Sequence, residues 1–354
     1  MVAVPEPAHS TVRSIYEWYE SKKEPHREHL GASLIGHDCD RYLWLTFRWA
    51  ASPQFEGRLL RLFETGKLEE ARIYDNLRAI GVELITEEDG KQIDCRDEYG
   101  HFGGSVDGVA RGFPEAPKTW AVLEIKTMNN KAFDSLTNKG VKVEKPQHYA
   151  QMQTYMGLLK LDRSMYVAVN KNTDELYTEW VKFDKTAFDS LSHRVKRIVG
   201  ASTPQQRISE DPSHWKCKFC DMYGLCHQAA PAEVNCRTCC HSTAVEGGKW
   251  SCDMHRKLLT ASEQLKGCGD HLMIPALVPN AEAVDGGVNS IDYVDKLTGA
   301  TFTNGPGHTP SGQLAQVRQA PAIKGRARVL PDKTARKGNA PEFDLDKFND
   351  PIPF

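Results

Sequence analysis

Trp120-Ala121-Val122-Leu123-Glu124-Ile125-Lys126-Thr127 is an apolar run that ends in a carboxylate and an ammonium two positions apart. A β-strand sends alternate side chains to the same face, so Glu124 and Lys126 point together while Ile125 faces the opposite layer. An ion pair closing an otherwise buried strand calls for a partner. Upstream lies Gly104-Ser105-Val106-Asp107-Gly108. If Asp107 sits on the neighbouring strand, two carboxylates can hold a magnesium ion, with Lys126 beside the position of an attacking water.

The segments around this strand predict a mixed α/β fold. Residues 11–24, 40–50 and 57–80 read as helices. In the third, Leu59, Phe63, Gly66, Glu70, Ile73 and Leu77 recur at spacings of four and three, one face of a helix. That places the carboxylate of Glu70 on an apolar seam, where an unpartnered charge is costly, with Gly66 permitting close approach one turn earlier. A β-rich stretch over 82–128 turns at Glu88-Asp89-Gly90 and Glu98-Tyr99-Gly100. Then come a helix at 145–161, strands at 164–170 and 175–183, and a helix at 185–200. This order predicts a mixed central sheet flanked by helices. On the helix 145–161, Gln147, Gln151 and Tyr155 fall on one face, opposite Met152, Met156 and Leu159.

With 354 residues, the chain suits one substantial domain plus appendages. We divide it into a core at 1–230, a small cysteine-rich unit at 231–275 and a tail at 276–354. The tail is rich in Gly, Pro, Asn and Thr, has no sustained period, and is expected to be disordered. A net charge of −2 means that nucleic-acid binding would need a local basic groove. No long apolar run or secretory leader is visible, so no membrane association and a cytoplasmic location are expected. Ten cysteines in such a chain point to metal ligation before disulfides.

Four motifs now stand in order: Gly66-x3-Glu70, Asp107-Gly108, Glu124-Ile125-Lys126 and Gln151-x3-Tyr155. Together they resemble the RecB-type branch of the PD-(D/E)xK nuclease superfamily, which includes AddB-type nucleases and phage recombination exonucleases. The resemblance covers roughly residues 30–230 and implies a restriction-endonuclease-like core. It implies that Asp107, Glu124 and the Ile125 carbonyl ligate magnesium or manganese, hard ions that prefer oxygen. Glu70 would complete the metal site or position a second ion. Lys126 would orient or deprotonate the attacking water, and Gln151 with Tyr155 would hold the DNA strand. The activity implied is a metal-dependent, phage-type DNA exonuclease acting in recombination, repair or replication. The alternative is a catalytically weak DNA-binding recombination factor that works by recruiting host repair proteins.

Two cysteine groups follow the core. Cys217-x2-Cys220-x5-Cys226 supplies three thiolates, and Cys39 is the natural fourth. Four thiolates suit zinc or an iron–sulfur cluster alike; the same resemblance implies a 4Fe–4S cluster that staples the two ends of the core. Cys236-x2-Cys239, a hairpin turn at Glu246-Gly247-Gly248 and then Cys252 read as a small zinc ribbon. Its fourth ligand is Cys268 or His255, with Cys240 or His241 as substitutes and His271 nearby.

Basic residues at 324–337 suit phosphate contact in a tail. The end of the chain, Phe343-Asp344-Leu345-Asp346-Lys347-Phe348-Asn349-Asp350-Pro351-Ile352-Pro353-Phe354, resembles the acidic carboxy-terminal peptide of bacterial single-stranded-DNA-binding proteins. That likeness implies docking on host repair proteins, with a single-strand annealing protein as a further partner.

Overall fold

The structure, a computed structural model, describes residues 10–22 and 26–314. The elements run α1 (Ser10–Ser21), β1 (Leu30–Gly31), α2 (Asp40–Phe47), α3 (Gly57–Ala79), β2 (Glu83–Ile85), β3 (Glu87–Glu88), β4 (Lys91–Gln92), β5 (Asp94–Arg96), β6 (Phe102–Ser105) and β7 (Gly108–Arg111). They continue through β8 (Ala121–Met128), α4 (Asn130–Lys139), α5 (Val141–Glu144), α6 (Pro146–Leu159), β9 (Arg163–Asn170), β10 (Leu176–Lys182) and α7 (Lys185–Val199). Six short strands follow: β11 (Ser242–Val245), β12 (Lys249–Cys252), β13 (Lys257–Leu259), β14 (Ala281–Gly286), β15 (Ile291–Asp295) and β16 (Thr301–Asn304).

The central sheet has the order β10-β9-β8-β7-β2. β8 lies in its middle, parallel to β9 and antiparallel to β7. Alternation along β8 feeds two cores. Leu123 and Ile125 pack with Ile73 of α3 on one face, whereas Val122 and Met128 join Met152, Tyr155 and Met156 of α6 on the other. The expected mixed sheet between helices is therefore the architecture observed. A smaller sheet, β1-β6-β5, adjoins it. The chain passes from β6 to β7 through Val106 and Asp107, so Asp107 stands where the two sheets part.

Helices α4 and α5 fill a stretch left unassigned by sequence. Asn129 caps α4 by accepting from the Ala132 backbone N–H at 2.9 Å, and Phe133 and Leu136 bury one face. Gly66 departs from expectation. A Cβ there would meet only Thr127 Oγ1, at 3.9 Å, so close approach does not require glycine at this position. Gly157 is the tight contact instead, since a Cβ would lie 2.3 Å from the Phe188 ring between α6 and α7.

The cysteine-rich unit is fused to the core by two arginines. Arg237 is fully buried and donates to the carbonyls of Phe47 and Glu28 and to Gln264 Oε1. Arg48 donates to the carbonyls of Arg237, Ser242 and Ala201. Burial lowers the Arg237 pKa to about 9 and that of Arg48 to about 10, so both remain charged at neutral pH. The faces of Trp49 and Trp250 lie 3.6 and 4.7 Å from the Arg237 guanidinium. The expected turn at Glu246-Gly247-Gly248 joins β11 to β12, and Gly248 N–H donates to the Tyr99 carbonyl at 2.7 Å.

The expectation of disorder from residue 276 is corrected over 281–304, where β14, β15 and β16 form an antiparallel sheet. Tyr293 is completely buried in it and stacks on Phe302 at 5.2 Å. The basic stretch at 324–337 and the acidic terminus at 343–354 lie outside the described residues. Among the described residues no helix is long and apolar enough to cross a membrane.

Candidate active site and cysteine centres

The ladder between β7 and β8 pairs Gly108 with Leu123 and goes no further along β8. Beyond it, the Ile125 N–H would be left without a strand partner. Asp107 takes that place: its Oδ2 accepts from Ile125 N–H at 2.7 Å. A residue in a strand presents its N–H and C=O to the same side, so the Ile125 carbonyl faces the same gap. Tyr74 of α3 donates to the Asp107 carbonyl at 2.6 Å and fixes the loop from the helix side. The interruption of the ladder thus makes the site.

Glu124 is 0% exposed, and Lys126 Nζ approaches its Oε1 to 2.5 Å. Lys126 is thus the polar partner of Oε1, and Oε2 is buried without one. Complete burial raises the Glu124 pKa to about 7, against the pull of Lys126, with Asp107 adding to the rise. Glu70 reaches the cluster from α3 and shares a hydrogen bond with Asp107; burial, then the Asp107 charge, push it up to about 8. Burial opposes charge on Lys126, but Glu124, Asp107 and Glu70 outweigh it and raise its pKa. The structure therefore gathers Glu70, Asp107, Glu124 and Lys126. Three gathered carboxylates, those of Glu70 and Glu124 with raised pKa values, and the Ile125 carbonyl beside them form a hard-cation donor set.

Gln151 and Tyr155 sit close to this cluster but are not laid out as a surface. The expected division of α6 into a polar and an apolar face is replaced by burial all round, from Ala150 to Met156. Tyr155 is 2% exposed and donates to the Ser105 carbonyl at 2.8 Å, two residues before Asp107. Gln151 Nε2 donates to the Tyr155 hydroxyl at 3.4 Å, and Gln151 Oε1 is buried without a partner. In this structure Tyr155 positions the Asp107 loop, and the helix serves as the site's floor. His148 is buried and hydrogen-bonded to the Tyr166 hydroxyl at 2.8 Å. Tyr74 is the site residue that sequence reasoning missed; its place one turn after Glu70 was the available signal.

Cys39, Cys217, Cys220 and Cys226 line one cavity of about 430 Å³. Burial, then the Cys39 and Cys226 thiols, raise Cys217, whereas burial and then Asp221, ahead of the same two thiols, push Cys220 up to about 12. Cys236, Cys239, Cys252 and Cys268 form a second group, in which burial and then the other three thiols push Cys236 up to about 11. His255 Nε2 lies 3.5 Å from both Cys268 Sγ and Asp270 Oδ2, and the donor atoms of these three residues fall within 4.8 Å of one another. His271 is committed to the Asn235 carbonyl at 2.9 Å, His241 to Asn289 at 2.6 Å, and Cys240 to the Met273 carbonyl at 3.5 Å.

No protein-family model and no curated protein matches the chain. Among solved structures, it is similar to the LHK-Exo complex with dAMP, with 14% identity and a TM-score of 0.38 over 52% of this chain and 90% of that one. It is similar to the alkaline exonuclease LHK-Exo from Laribacter hongkongensis, with 15% identity and a TM-score of 0.34 over 51% and 90%. It is also similar to SSO0001, with 13% identity and a TM-score of 0.35 over 62% and 95%.

Proposed function

We infer that the chain is a metal-dependent deoxyribonuclease, an exonuclease of the PD-(D/E)xK type serving phage-type DNA recombination, repair or replication. The observation that carries this is the fully buried Glu124 carboxylate gathered with those of Asp107 and Glu70, three acids against the one ammonium of Lys126. Three clustered carboxylates exceed what one ammonium neutralises, so gathering them is expensive unless a further cation meets them. Asp107, Glu124, Glu70 and the Ile125 carbonyl would hold magnesium or manganese. When bound, the ion stabilises charge on the phosphate oxygens and lowers the pKa of an attacking water. Lys126, kept as an ammonium by its carboxylate neighbours, donates a hydrogen bond to the water or to a phosphate oxygen and so orients the attack. Tyr155 and Tyr74 hold the Asp107 loop in register with β8. Gln151 would meet the strand through its side-chain NH2, which has a second hydrogen besides the one given to Tyr155. Anaerobically prepared protein should degrade end-labelled DNA with magnesium by releasing nucleotides from the labelled end. Cutting confined to internal positions would refute the exonuclease reading, and no cutting at all the nuclease reading.

The first thiol group would hold a 4Fe–4S cluster, the reading supported by four thiols on one cavity. The second would hold zinc through Cys236, Cys239, Cys252 and Cys268, with His255 the nearest substitute. Anaerobic protein should then be brown, and Cys220→Ser should abolish its visible absorption while leaving one zinc per chain. A colourless wild type with two zinc ions would overturn the cluster assignment. The terminal peptide would recruit host proteins that bind single-stranded-DNA-binding protein, or a single-strand annealing protein, in a bacterial cytoplasm. Deleting Ile352, Pro353 and Phe354 should remove that binding, and binding that survives deletion disproves the role.

A further inference from the structure

The first cysteine group has charged neighbours of its own. Cys39 is the N-cap of α2, and Arg41 lies in the first turn of that helix. Arg41 Nη1 donates to the Gln205 carbonyl at 3.2 Å, which ties α2 to the segment that leads into Cys217. From there the guanidinium reaches Cys226. Burial raises the pKa of that thiol, and Arg41 is the first group to oppose it, through its charge and a side-chain hydrogen bond. One arginine thus joins the helix that carries the early cysteine to the last thiol of the trio.

The charge balance around the group singles Arg41 out. Asp40 pairs with Arg194 and Arg197 at 2.7 and 2.6 Å. Asp38 pairs with Lys216, and Arg207 meets Glu210 at 2.6 Å. Arg41 has no such acid: among the described residues its partners are a carbonyl and a thiol. A half-buried guanidinium is costly to place without an anion to meet it. Four neutral thiols supply none. Thiols that coordinate a metal are deprotonated, and four thiolates then carry the missing negative charge.

Building on the 4Fe–4S reading of this group, we propose that Arg41 is a positioning residue of the centre. Its guanidinium holds the Cys226 sulfur by a charge-assisted hydrogen bond and sets how readily the centre accepts an electron. Reduction adds one negative charge beside Arg41, so the cation favours the reduced form and raises the reduction potential. Net charge and hydrogen bonds to the sulfurs are among the levers that set such potentials. Partners that orient a ligand also contribute about 10–100-fold to metal affinity, so Arg41 helps to retain the iron.

The full chain is prepared anaerobically as wild type, Arg41→Lys and Arg41→Gln. The reduction potential is read from the visible absorption in a mediated dithionite titration, and iron retention is measured against a chelator. In Arg41→Gln the reduction equilibrium should be about tenfold less favourable, which is about 59 mV for one electron, and iron should be held about tenfold less tightly. Arg41→Lys keeps the charge and should stay nearer the wild-type potential, while losing iron more readily for want of the planar fork. A wild-type potential in Arg41→Gln overturns the inference even if iron is lost sooner, because a residue that only supports the fold would do that much. Should Arg41→Gln take up no iron, uptake by Arg41→Lys supports the counter-charge. Failure of both overturns it, since Arg41 would then serve the fold alone. A colourless wild type overturns the cluster reading itself, whereas a brown wild type with an unmoved variant overturns this inference only.

Discussion

Lys126→Ala lowers the rate of DNA hydrolysis by about 10²–10⁴-fold, the usual contribution of a positioned proton-transfer or hydrogen-bonding side chain. The loss should fall on kcat, because in the proposed mechanism Lys126 acts on the attacking water rather than along the length of the strand. Stability changes too. Lys126 lies 2.5 Å from the buried Glu124, and removing one partner of a buried pair costs about 3–5 kcal/mol. That cost is greatest near pH 8, where Glu124 is ionised, and smaller near pH 6, where its raised pKa of about 7 lets it take a proton. Lys126→Met keeps the packing and should show the same kinetic defect with less destabilisation. End-labelled DNA digestion and thermal melts at the two pH values check both parts. Digestion by Lys126→Met at the wild-type rate would remove Lys126 from the chemistry.

Glu124→Gln lowers hydrolysis by about 10³-fold or more, the scale on which a single preorganised electrostatic group acts, while the metal-free protein loses part of its pH dependence. The sign follows from the direction of the shifts. Glu124 and Glu70 are raised from 4.5 to about 7 and about 8, so the folded state prefers them protonated. Their stabilising contribution is complete below about pH 4.5 and is lost as pH rises through 7 to 8. Gln at 124 removes one of these two titrations, a gain of about 3 kcal/mol at pH 8 on the scale of about 1.4 kcal/mol per pKa unit. It also leaves the buried Lys126 ammonium without its partner, a cost of about 3–5 kcal/mol, so the two largely offset in metal-free protein at pH 8. Magnesium should stabilise wild type by binding the folded state, and should do far less for the variant. Melting curves with and without magnesium decide this, and a variant that magnesium stabilises as much as wild type contradicts it.

The core of the site was legible because its chemistry is written in short periods. Glu124 and Lys126 share a strand face by the period of two, and Glu70 joins Ile73 and Phe63 by the helical period, so three elements could be aimed at one place. What the sequence could not supply was the end of the β7–β8 ladder at Leu123, the detail that hands the Ile125 N–H to Asp107. The placement of Gln151 and Tyr155 on a polar face opposite an apolar one differs from the structure for a physical reason. An amphipathic pattern assumes one wet face, but α6 is buried all round from Ala150 to Met156, and its polar residues there bond inward, as Gln153 does with the Lys182 carbonyl at 2.9 Å. The β14–β16 sheet escaped notice because β14 is largely exposed and Tyr293 is the buried aromatic of the unit. Strands that bury so little leave almost no hydrophobic alternation to read.

The most direct measurement is a crystal structure of the protein soaked in manganese, with anomalous data collected at the manganese edge. The account predicts an anomalous peak within about 2–2.5 Å of oxygens from Asp107 and Glu124 and of the Ile125 carbonyl, with Glu70 at or next to the ion. A structure that holds manganese elsewhere while Glu124 stays buried and ion-free would contradict it.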